Sequence, residues 1–126
     1  MADDRLALTA HLLRRAGFGA SRDELEMYAA RPYEEVIDDL VHPERFPEVD
    51  EELLARYYPH LFAMDNQITW NGRWFYRMIN SQRPLEEKMT LFWPCLFATG
   101  NATVEAAPVM LQQIATFRQH ALGNFR

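Results

Sequence analysis

The sequence predicts an all-α domain, a compact orthogonal bundle of about six helices. Apolar residues return every three or four positions in segment after segment, the spacing that lays them along one side of a helix. Start and stop signals (Gly17, Gly19, Ser21, Pro32, Pro59 and Pro84) fall between those segments. No stretch alternates apolar and polar residues convincingly in the period-two manner of a strand, and no internal repeat is present.

A first helix is expected over roughly Asp4 to Ala16. Leu6, Thr9, Leu12, Leu13 and Ala16 form its inner face, and Gly17 and Gly19 end it. Ser21 with Glu24 three residues later is a capping box, so a second helix starts there and runs to about Ala30. Pro32 suits the first turn of a third helix, with Tyr33, Val36, Ile37 and Leu40 inward. Two prolines in "HPERFPEVD" mark a connector, and a short helix from about Asp50 to Tyr58 stops at Pro59. Residues 67–82 carry a strong pattern. Ile68, Trp70, Trp74, Phe75, Met78 and Ile79 cover one broad arc, with Arg73, Arg77 and Asn80 opposite. Pro84 opens the next helix and places Glu86 and Glu87 in its first turn, where the helix dipole favours acids. Leu85, Met89, Phe92, Trp93 and Leu96 share its expected buried face. After the break "ATGNAT", a last helix starts near Val104, tolerates Pro108 in its first turn, and points Met110, Ile114, Phe117, Ala121 and Phe125 inward. Asn101-Ala102-Thr103 matches a glycosylation acceptor and reads more simply as loop and cap.

Composition excludes several classes of function. The length of 126 residues is that of one domain, and 48% hydrophobic residues suffice for a core. One cysteine rules out an intrachain disulfide framework and a cysteine-rich zinc site. The net charge is −5, half of the 18 acids lie between Glu34 and Glu52, and the basic clusters are short. That balance argues against nucleic acid and against an acidic membrane surface as partners. The longest apolar run, Leu91 to Ala98, is far below the roughly 20 residues that span a bilayer. The acidic N-terminus lacks the basic start of a secretory signal, so a cytoplasmic chain is expected, with a trimmed export signal as the alternative.

The candidate chemistry centres on "FWPCLFATG", residues 92–100. Pro94 has no N–H to give the carbonyl of Thr90, and a proline inside a helix costs roughly 3 kcal/mol. One reading is a bent core helix with Cys95 as a small apolar filler. The other is a kink that opens a pocket and presents Cys95 as a thiolate ligand or nucleophile, for which haem iron in an aromatic cavity is chemically reasonable. Trp70, Trp74 and Trp93 are the aromatic candidates for such a pocket, and Cys95 is the candidate catalytic group. An aromatic stripe at helical spacing also reads as plain core. Arg14, Arg15, Arg73 and Arg77 suit an anionic ligand, or ion pairs across helices with acids such as Glu24, Glu86 and Glu87. The adjacent pairs Asp38–Asp39 and Glu86–Glu87 diverge on a helix and read as solvated faces rather than as a general acid and base. No glycine-rich phosphate loop and no Ser/His/Asp order stands out.

Three blocks, "AHLLRRAGFGAS" at 10–21, "RPLEEKMTLFW…FAT" at 83–99 and "FRQHALGNFR" at 117–126, resemble the N-terminal part of the bacterial domain-of-unknown-function 1800 family. The resemblance implies a mainly helical fold and a chain that is the N-terminal fragment of a longer parent; it brings little chemistry. Where that family tends to read Trp-His-any-His-Phe, this chain reads Trp93-Pro94-Cys95-Leu96-Phe97, whether naturally or by engineering. His11 and His120 both lie in the family-like blocks. With Cys95 they make a candidate three-ligand metal set, and separate surface histidines are the competing reading. His120 also joins Cys95 and the three tryptophans as a candidate for cofactor binding.

Two functions follow as expectations. The first is a single helical domain, residues 1–126, acting as a binding or structural module that self-associates or meets the missing part of its parent. The second is a haem or small-ligand pocket around Cys95.

Overall fold

The structure is a computed structural model and describes residues 2–62, 67–97 and 107–124. Seven α-helices appear in that span: α1 (Ala2–Ala16), α2 (Arg22–Ala29), α3 (Tyr33–Val41), α4 (Glu51–Tyr57), α5 (Gln67–Asn80), α6 (Pro84–Leu96) and α7 (Ala107–Gln119). Single 3-10 turns lie at Pro43–Arg45 and Pro59–Phe62, and no strand is found among the described residues. The all-α expectation therefore holds, with one helix more than about six. The "ATGNAT" break, the acceptor-like Asn101–Thr103, the start near Val104 and the inward Phe125 lie outside the described residues, as does the side chain of Ile68.

Local signals act where the sequence places them. Glu24 N–H donates to Ser21 Oγ at 3.3 Å, and the Glu24 carboxylate accepts from Ser21 N–H at 2.7 Å, closing both halves of the capping box of α2. Asp50 caps α4 by accepting from Leu53 N–H at 2.8 Å. On α1 the expected inner face is inner: Thr9, Leu13 and Ala16 are buried.

The end of α1 is fixed against the start of α6. Lys88 Nζ donates to the carbonyls of Arg14 (2.7 Å) and Gly17 (2.6 Å), a cation set on the negative end of the helix. Gly17 is buried there, and a Cβ on it would stand 3.0 Å from Cβ of Pro84, close enough that a larger residue would push the start of α6 aside. Gly19, with φ of +96°, turns the chain into α2. Arg83 ties the connector to the same corner. Its Nε and Nη2 donate to the Phe46 carbonyl at 2.8 and 2.6 Å, and its Nη1 lies 3.1 Å from Glu48. α6 is the hub: it packs on α1, α3, α5 and most extensively on α7.

Two expected faces are corrected by the fold. On α5, Phe75 and Ile79 lie outside, 62% and 79% exposed, while Arg77 is buried and Arg73 half-buried beside Trp70 and Trp74. The inward set 70, 73, 74, 77 has the i, i+3, i+4, i+7 spacing of a single helical stripe. On α6, Glu87 and Thr90 are the buried residues and Phe92 and Leu96 are exposed. Glu87 is thus no solvated surface acid. Both corrections have one cause: ion pairing makes charged positions buriable, and that frees apolar positions to face outward.

Candidate functional site: a buried charge network beside two tryptophans

The carboxylate of Glu87 has no exposed surface and sits between two helices' arginines. Arg77 Nε on α5 donates to its Oε1 at 3.1 Å. Arg118 on α7 donates from Nε to Oε1 at 2.9 Å and from Nη2 to Oε2 at 3.3 Å, a two-point grip. Arg77 reaches on through Nη1 to Glu51 at the head of α4, and Arg73 Nη2 donates to the second oxygen of the same carboxylate. Four helices therefore meet on two carboxylates and three guanidiniums. Burial draws the pKa of Arg77 down, and Glu87 and Glu51 together more than reverse it, so the guanidinium stays charged.

The neighbouring carboxylate behaves differently. Burial pushes the pKa of Glu86 up, and Arg83, 3.7 Å away, reverses only part of that shift. A folded-state pKa above the unfolded value means that the unfolded chain loses its proton first as pH rises. Stability then falls between the ordinary carboxylate range and the folded value. Glu86→Gln is expected to raise the urea midpoint at neutral pH. The gain should vanish at a pH below both values, and a variant equally stabilised in strong acid would contradict this account.

A cavity of about 100 Å³ adjoins the network, lined by Trp70, Trp74, Arg73, Arg77, Arg118, Glu51, Leu111, Ile114 and Ala115. The indole N–H groups of Trp70 and Trp74 are both buried without a hydrogen-bond partner among the described residues. Arg73 also stacks over the Phe62 ring, 4.4 Å from its centroid.

The other candidates fall elsewhere. Cys95 is exposed, its Sγ 3.8 Å from the Leu91 carbonyl within α6. His11 lies exposed on α1, and His120 follows α7. No group of three His, Cys, Asp or Glu residues able to hold a metal occurs among the described residues, so Cys95, His11 and His120 are not brought together. Trp93 donates its Nε1 to the Ala121 carbonyl at 3.2 Å, which ties α6 to the turn after α7. It lines an open depression of about 260 Å³ with Phe97, Phe117, His120, Gly123 and Asn124. The Phe97 and Phe117 rings stack there, with centroids 5.8 Å apart. The tryptophans are thus divided between two sites, and His120 shares one of them with Trp93 alone.

Arg118 is the member of the charge network that sequence reasoning misses. Its signal was faint: a lone basic residue between Phe117 and Gln119, facing an acid 31 positions earlier. Pairing of the α5 arginines with Glu87 was one of the two readings of those residues, and Arg77 realises it.

Fold and site together define an all-α domain whose helices converge on an internal arginine–glutamate cluster. The family model described as "Protein of unknown function (DUF1800)" matches residues 11–126, and the chain belongs to that family. No curated protein and no solved structure matches it. No helix among the described residues is long and apolar enough to cross a membrane.

Proposed function

We propose that this chain is a helical binding module. The buried charges fix how α4, α5, α6 and α7 meet, and outer apolar stripes take up a second copy of the chain. One observation carries the reading. Phe75 and Ile79 on α5, and Phe92 and Leu96 on α6, are each four residues apart, hence side by side, and each is 47–79% exposed. Burying such a side chain from full exposure stabilises by about 1.5–3 kcal/mol, and these four, only partly covered by their own chain, have the remaining share of it to contribute to association. Paired apolar side chains of this size, left facing water on adjoining elements, mark docking surfaces more often than scattered single ones do.

Sedimentation velocity over a concentration series tests it. The expected result is a dimer that Phe75→Glu with Ile79→Glu converts to a monomer of unchanged helical circular dichroism. A chain that stays monomeric into the millimolar range removes the second copy as occupant and leaves the remainder of a longer parent chain in its place.

A second reading, a haem or small-ligand pocket with catalytic use, draws support from the depression shared by Trp93 and His120. Cys95 is not among its lining residues, so an axial contact there would fall to His120. Titration with haem tests it, and the absence of a Soret shift would end it.

A further inference from the structure

The cavity beside the network carries an inference independent of the docking reading. Within the cluster, the three guanidiniums of Arg73, Arg77 and Arg118 face the two carboxylates of Glu51 and Glu87, an excess of one positive charge. A guanidinium has five N–H donors, and Arg77 and Arg118 each spend two of them on these carboxylates. Two further donors, the indole N–H groups of Trp70 and Trp74, are buried and unpaired among the described residues. A buried donor without an acceptor is costly, and two on side chains lining one cavity call for something that accepts.

We propose that this cavity is a binding site for a small monocarboxylate. The charge balance selects a single negative charge. The donor set, neutral indoles beside guanidiniums already shared with acids, suits a flat carboxylate better than a dianion, which would leave the cluster with a net negative charge. The lining residues Leu111, Ile114 and Ala115 give a short apolar tail somewhere to lie. The volume, about 100 Å³, is well above the roughly 10–15 Å³ that one water needs, and gives room for an acetate-sized or slightly larger head. Water is the competing occupant, since it too would satisfy the indoles, but it would leave the excess charge uncompensated.

The test is isothermal titration calorimetry of the whole chain with acetate, butyrate and inorganic phosphate at constant ionic strength. Arg77 and Arg118 hold the core, so their variants risk unfolding. Trp70→Phe and Trp74→Phe remove the N–H donor and shrink the indole to a phenyl ring while keeping an aromatic face. The expected result is saturable binding of acetate and butyrate, with phosphate weaker, and a loss of about tenfold with each tryptophan variant, the size of one hydrogen bond to a charged group. Three outcomes overturn the proposal. They are no saturable heat with either carboxylate, phosphate binding more tightly than both, or carboxylate affinity unchanged in the double tryptophan variant with its helicity intact.

Discussion

Glu87→Ala should unfold at a far lower urea concentration than the parent chain, with a loss of about 3–5 kcal/mol. The substitution removes few apolar contacts. Its cost comes from what it leaves behind: Arg77 is buried and Arg118 nearly so, and both give hydrogen bonds to that carboxylate. Arg77 keeps Glu51, but Arg118 keeps only the weaker electrostatic pull of Glu86 and no hydrogen-bonded carboxylate among the described residues. An unpaired guanidinium in the interior either draws in water or forces α7 away from α6, and either route sacrifices packing. Against a total stability of about 5–15 kcal/mol for an ordinary domain, such a loss puts the fold near its limit.

A companion variant separates this explanation from simple loss of volume. Replacing Glu87, Arg77 and Arg118 together with methionine or leucine removes the desolvation cost of the three charges. It should restore stability to the parent value or above it. Glu51 retains Arg73 in that variant and is not orphaned. If the triple variant is as unstable as Glu87→Ala, the charges contribute net attraction and the cluster is a true stabilising element. If it recovers, the cluster is retained for something other than stability, and the adjoining cavity is where that reason would lie. Equilibrium unfolding in urea, followed by circular dichroism at equal protein concentration, distinguishes the two.

How legible all this was in the sequence depends on which force sets each position. The start of α2 was readable because Ser21 and Glu24 satisfy each other locally, within one turn. The inner face of α1 was readable because apolar spacing and burial agree there. The faces of α5 and α6 were misread in phase because helical periodicity treats arginine and glutamate as outward. Arg77 is inward only because Glu87 and Glu51 come to it from 10 and 26 residues away. Nothing within α5 announces those partners. The same blindness hid Arg118, and it drew attention instead to Cys95, conspicuous in composition yet exposed. The tryptophans were legible as a class and not as a place: Trp70 and Trp74 meet the charged cluster, whereas Trp93 meets the turn after α7.

Pro94→Ala is the second large effect, and in the opposite direction. Pro94 lies inside α6, with nearly three turns of helix before it and only Cys95 and Leu96 after it. Alanine there would supply an N–H to the Thr90 carbonyl and relieve the crowding of the proline ring, changes worth up to about 3 kcal/mol in a helix interior. Against this, the unfolded chain regains the freedom that proline denied it, about 0.4–1 kcal/mol. The net expectation is stabilisation of about 2 kcal/mol, seen as a higher urea midpoint at unchanged slope. The proline stands beside Trp93, whose indole reaches the Ala121 carbonyl, and three residues before Phe97, which stacks on Phe117. Should Pro94→Ala instead lower stability, the break in the α6 hydrogen-bond ladder is what seats those two rings against α7. Trp93 fluorescence, read in a background where Trp70 and Trp74 are phenylalanine, would then shift toward that of exposed indole. A rise in stability with Trp93 emission unmoved would instead show that the α6–α7 seam forms without the proline, and that the residue serves only to stop the helix within the next turn.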